Sequence, residues 1–242
     1  MSVIVFHGDS WTWGSGLQYY YLIEKHDYSI EELEKFSTKK VRLEKFPKKV
    51  DDYRKKYHFP NLVAEHFNVP YVLSKEGNGS DNEEIQRNIR NSSNYWKSDV
   101  QLHVVQLSSP LRTNNECDII KEASTAEEIV RIQVDKIIKS SQVMIHSVND
   151  IPLFFLCWFK EHADYIKERY PEKLIPIHYN NEVFSSYDRL NTPKFKEDKL
   201  SISYDIGFDD FHFSKKGHKV IANSIINKIS KESIEFDIHN IY

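Results

Sequence analysis

Three short runs of this chain are apolar on both faces at once, and that limits what it can fold into. "VIVF" at residues 3–6, "VQLHVVQLS" at 100–108 and "IPLFFLCWF" at 151–159 each fit a strand buried on two sides, as strands in a parallel sheet are. The third is the most apolar and is expected to be a central strand. "YVLS" at 71–74 adds a shorter strand, and "KLIPIHY" at 173–179 reads as a fifth strand or as an extended segment. Amphipathic stretches separate them. "PNLVAEHFN" carries Pro60 near a helix start, where its fixed φ suits the first turn. "NEEIQRNIRNS" places Ile85 and Ile89 four apart, and a longer helix is predicted over about 125–147 with Ile129, Ile132, Ile137, Val143 and Met144 on its apolar face. Ser214 is set to cap a closing helix, "KKGHKVIANSIINKIS". Strand and helix alternate, which predicts an α/β domain: a central parallel sheet between two helical layers.

Nothing splits the chain, so residues 1–242 are expected to form a single domain. Residues 18–57 differ in character, being rich in tyrosine and charge. Within them "SIEELEKF" begins as a helix should, with Ser29 as cap and acids in the first turn. The stretch reads as a helical insertion lying over one face, with the tyrosines at 19–21 either anchoring it or lining a site. The net charge of −3, with lysines interspersed among acids, gives no electrostatic case for nucleic acid or an anionic membrane. No apolar run approaches the roughly 20 residues that a membrane span needs. No basic, leader-like region precedes "VIVF", so the expected location is cytoplasmic. Cys157, inside an apolar run, is expected to be a buried free thiol.

Glycine is scarce, with only 7 in the chain, fewer than half of what average usage of about 7% would give. They fall in three groups: Gly8, Gly14 and Gly16; Gly77 and Gly79; Gly207 and Gly217. Glycine is kept where the backbone needs positive φ or a close approach, so chemistry is sought there. In an open parallel sheet, ligands bind beyond the carboxyl ends of the strands. Ser10 in "GDSWTWGSGL", the "GNGSDN" loop and the "SSP" turn all follow predicted strands. By itself Ser10 is as well read as a helix cap. A nucleophilic serine needs a base and the base an orienting group, and "GFDDFHFSKKGH" supplies Asp209 and His212 with two residues between them, just before the last helix. Asp210 competes with Asp209 but is spaced less well.

"GDSWTWGSGL" near one end together with "DDFHFSKKGH" near the other resembles the SGNH (GDSL-type) hydrolases. That resemblance implies a flavodoxin-like three-layer sandwich and a serine esterase or lipase chemistry. Residue by residue it implies Ser10 as nucleophile, His212 as base, Asp209 as orienting acid, and the backbone N–H groups of Ser10 and Gly79 as oxyanion donors. "GSDNEEI" resembles a variant of the family's second block. The third block departs: where the family has an oxyanion asparagine, "VVQLSSPLRT" offers Ser108 or Ser109, with Asn82 as a further candidate donor. Arg112 is either a contact for an anionic substrate group or half of an ion pair. Asp9 is expected to hold the local turn, His7 and His218 to be structural, and Trp11 and Trp13 to wall an acyl pocket or pack in the core. The histidines are scattered without paired-ligand spacing, so no metal or cofactor is expected. The reaction implied is hydrolysis of a small-molecule or carbohydrate ester, such as an O-acetyl group. A catalytically weak or inactive binding module of the same fold and an acyltransferase with the same triad are the alternatives.

Overall fold

A computed structural model describes residues 2–35, 48–74, 80–95, 100–112, 123–142, 151–187, 196–207 and 211–236. The expected strands form β1 (Val3–His7), β2 (Tyr71–Leu73), β3 (Val100–Leu107) and β4 (Leu153–Cys157). All are parallel, in the order β2-β1-β3-β4, which is the order of the first four strands in a flavodoxin-like doubly wound sheet.

Side chains alternate between the two faces, as the period of a strand requires. Ile4, Phe6, Leu102, Val104, Phe154 and Leu156 pack on one side with α5 (Phe59–Phe67) and α10 (Lys215–Lys231). Val105, Leu107, Leu153, Phe155 and Cys157 pack on the other with α6 (Asn82–Tyr95), α7 (Ala126–Gln142) and α8 (Lys160–Arg169). The result is an α/β three-layer sandwich. Cys157 is buried and is not in a disulfide. The expected apolar residues Val143 and Met144 lie outside the described residues. Among the described residues no helix is long and apolar enough to cross a membrane.

One expectation needs correcting. β4 is the last strand of the sheet rather than a central one; β1 and β3 occupy the middle. Its double-sided burial comes from the helical layers and from Leu174, which forms a single parallel bridge to Phe155. The segment 173–179 therefore starts alongside the sheet and then leaves it, its strand β5 (Ile177–Tyr179) pairing antiparallel with β6 (Glu182–Phe184).

The insertion is helical where it is described: α2 (Leu17–His26), α3 (Ile30–Lys35) and α4 (Lys48–Tyr57). Ser29 caps α3 through a capping box, Glu32 N–H donating to Ser29 Oγ at 3.2 Å and Ser29 N–H to Glu32 Oε2 at 2.8 Å. The insertion has its own small core, in which Leu17, Tyr19, Tyr20, Leu22 and Leu33 close on Ile202. Ile202 opens α9 (Ile202–Ile206).

Candidate active site

The carboxyl end of β1 runs directly into a single helical turn, α1 (Ser10–Trp13). Its N-cap is Asp9, not Ser10: Trp11 N–H donates to Asp9 Oδ1 at 3.0 Å. That relieves the serine of the capping role and leaves its hydroxyl for other work. Gly8 makes the sharp entry possible, since a Cβ there would lie 2.1 Å from Thr12 Oγ1. Gly14 ends the turn at φ +82°, with its N–H donating to Ser10 O at 3.1 Å.

His212 arrives from the other end of the chain. Its backbone is fixed by an antiparallel pairing with 200–202: Ile202 N–H donates to His212 O at 2.9 Å, and Ser214 N–H to Leu200 O at 3.0 Å. Ser214 then caps α10, its Oγ accepting from Gly217 N–H at 3.1 Å. In this arrangement His212 Nε2 lies 2.7 Å from Ser10 Oγ. The distance is that of a hydrogen bond between nucleophile and base. Trp11 flanks the imidazole with 4.6 Å between ring centres, and Trp158 and Tyr187 stack behind it at successive spacings of 3.7 and 3.8 Å. Trp11 thus belongs to an aromatic wall beside His212, whereas Trp13 points toward the insertion and lies under Arg54.

Asp209 and Gly79, and Asp210 as the rival to Asp209, lie outside the described residues. For the others the structure gives definite partners. Ser108 Oγ donates to Asp9 Oδ2 at 3.2 Å, and Arg112 pairs with the same oxygen at 3.2 Å. Burial pushes the Asp9 carboxyl above its ordinary range, against the opposing pull of the Trp11 N–H, Arg112, His212 and Ser108. Of the two sequence readings of Arg112, the ion pair is the one formed.

Asn82, the further candidate oxyanion donor, has its side chain engaged with other partners. Its Nδ2 donates to Gln133 Oε1 at 2.9 Å and to Ser108 O at 3.2 Å, while its Oδ1 accepts from Ser108 N–H at 2.8 Å. Both amide hydrogens are thereby engaged in tying the start of α6 to the turn after β3. The Ser108 hydroxyl has one hydrogen, and it goes to Asp9. Its expected place as a donor to the oxyanion therefore requires that bond to break.

No protein-family model and no curated protein sequence matches this chain.

Sequence reasoning missed the polar floor beneath the site. Gln106 Oε1 accepts from Thr12 Oγ1 at 3.0 Å, and His7 Nε2 meets His103 Nδ1 at 3.0 Å, both pairs buried. The signal was present: His103 and Gln106 are polar residues inside an otherwise apolar strand. Burial drives the His103 imidazole down to about 4, and burial together with the neighbouring His103 lowers His7. His218, expected to be structural, is fully buried and accepts from Phe59 N–H at 3.2 Å. These histidines are buried packing elements, and among the described histidines His212 is the one that reaches the serine.

Proposed function

We propose that the protein is a serine esterase that hydrolyses a carboxylic ester by acyl transfer, in the manner of the SGNH hydrolases that its end motifs resemble. One observation carries the reading: the 2.7 Å approach of His212 Nε2 to Ser10 Oγ, made by residues 202 positions apart. Ser10 Oγ attacks the ester carbonyl while His212 Nε2 takes its proton. His212 then returns that proton to the departing alkoxide, and a water molecule repeats the sequence on the acyl-enzyme. Asp209 is assigned the orientation of the imidazole. The Ser10 N–H, in the first turn of a helix where donors lack intrahelical partners, and the Gly79 N–H are assigned the oxyanion.

The aromatic wall of Trp11 and Trp158 closes one side of the reacting pair, which favours a compact acyl group such as acetyl. A carbohydrate is the favoured alcohol, because the C–H groups of a sugar pack on the electron-rich faces of aromatic rings. Cys157, buried and not in a disulfide, suits a reducing, cytoplasmic setting. A second reading, a weakly active or inactive module of the same fold, is favoured by the engagement of Asn82 and Ser108 elsewhere. Removing one oxyanion donor costs about 10²–10³ in kcat in a well-studied protease, so slow turnover is expected. Hydrolysis of p-nitrophenyl acetate tests the proposal. Ser10→Ala is expected to abolish it, and unchanged turnover by the purified variant would remove Ser10 from the mechanism.

A further inference from the structure

We infer that the insertion is a brace that holds Ser10 and His212 in register, with Arg54 and Lys215 as its two positioning residues. The inference rests on the esterase reading.

On the serine side the contact is made by Arg54, a guanidinium only 2% exposed. It lies over the Trp13 indole, 3.9 Å from the ring centre, and its Nη1 donates to Trp13 O. Its Nε and Nη2 fork onto Asp51 Oδ1 at 2.9 and 2.6 Å, so the group is held at three of its nitrogens and on one face. Trp13 is the last residue of α1, a helix of one turn that opens with Ser10. The Gly14 and Ser15 N–H groups close that turn on Ser10 O at 3.1 and 2.9 Å. A shift of the Trp13 carbonyl is therefore passed to the serine backbone with no intervening joint. Slack on the far side is removed by His58, whose Cβ would stand 2.8 Å from a Cβ at Gly14.

On the histidine side the brace takes hold of Lys215, three residues after His212. Its ammonium lies 5.0, 4.8 and 4.5 Å from the ring centres of Tyr20, Tyr53 and Tyr57, and pairs with Glu24. All four partners belong to the insertion. Tyr20 makes a second attachment, its hydroxyl donating to Asp205 Oδ2 at 2.6 Å. Asp205 sits on α9, whose first N–H holds the His212 carbonyl. The same forty-residue excursion thus grips the turn that carries the nucleophile and both segments that fix the base. A cation over an aromatic face is attracted by the ring quadrupole, and a stacked, forked guanidinium fixes orientation as well as distance.

The predicted consequence is a loss of rate without a loss of substrate binding, because a misplacement of about 1 Å can cost about 10²-fold in rate. Arg54→Met and Lys215→Met are each expected to lower kcat for p-nitrophenyl acetate about tenfold or more, with KM within about twofold. Lys215→Arg, which keeps a cation in the tyrosine cage, is expected to restore most of the rate. A merely structural role would show up as a lower melting temperature with normal kcat in the folded fraction. If Arg54→Met fails to fold, the two Lys215 variants decide, since Lys215 is 24% exposed and its partner Glu24 is 43% exposed. The brace is overturned if Ser10→Ala is inactive while Lys215→Met, or a folded Arg54→Met, keeps wild-type kcat. Activity in Ser10→Ala would instead overturn the esterase reading, and the brace with it.

Discussion

The sandwich and the insertion bury their side chains by different physics. Against the sheet, α5 and α10 place Val63, Ile221, Ile225 and Ile229 on Phe6, Val104 and Leu156, a contact built mainly from apolar area, with one cation, Lys228, over Phe154. The insertion combines its small core with tyrosine rings around a lysine and a buried arginine over a tryptophan. Apolar burial is non-directional and roughly proportional to area, so the sandwich sets where the strand ends fall. Stacked cations and forked hydrogen bonds are directional, so the insertion sets angles and register at those ends. A site that joins two distant segments needs both.

Acid is expected to separate the two regions least and to have the largest effect. His7, His103 and His162 are buried in the sandwich and His58 and His218 where the insertion joins it. Burial holds His58 and His162 at about 3 and His103 at about 4, and lowers His7 and His218. Because these folded values lie below the unfolded value of about 6.5, the unfolded chain binds more protons between them. Stability is therefore full above about pH 6.5 and falls as pH drops, with each histidine adding a slope of up to ~1.4 kcal/mol per pH unit. Urea titrations at pH 7.5, 6 and 5 should show a steep decline in one cooperative transition. A flat profile would mean that the histidines are not neutral and buried.

Phe155→Ala in the sheet is expected to cost about 3–5 kcal/mol by denaturant titration, from lost contacts and the cavity left behind. Tyr53→Leu in the insertion removes one wall of the lysine cage and the hydroxyl that donates to Glu24 at 2.6 Å. It should cost only about 1 kcal/mol while lowering kcat, a disproportion that the sheet variant should not show. Equal ratios of rate loss to stability loss in the two variants would erase the distinction drawn here. The smallest effect is expected of Glu24→Gln, about 0–1 kcal/mol, since its pairing with Lys215 is part-exposed and screened by salt. Repeating that comparison in 1 M NaCl should shrink the difference further.

What could be read from the sequence follows the same division. Apolar runs and four-residue spacings have a fixed period, and they marked every strand of the sheet and the helices at 59–67, 82–95 and 215–231. The helix Lys160–Arg169 carries no such mark, because its buried residues, His162, Ala163 and Ile166, are few and set among charges. The residues of β4 read as those of a central strand because a strand covered by Leu174 looks, from its sequence, like one flanked by a neighbour. At the site, Ser10 and His212 were legible because each stands in a short motif beside a helix start. Arg54 was not: in "KKVDDYRKKY" it is one cation among several, and only the fold reveals that it and Val50 form the buried stripe of α4. The engagement of Asn82 was equally hidden, since its partners Gln133 and Ser108 come from separate elements.

The central claim is that Ser10 is a nucleophile made reactive by His212. Intact-mass and peptide-mass measurement after exposure to a fluorophosphonate tests it without any knowledge of the substrate. One adduct per chain is expected, located on Ser10, absent from Ser10→Ala and formed far more slowly by His212→Ala. Folded wild-type protein that stays unlabelled, or that is labelled at the same rate without His212, would contradict it.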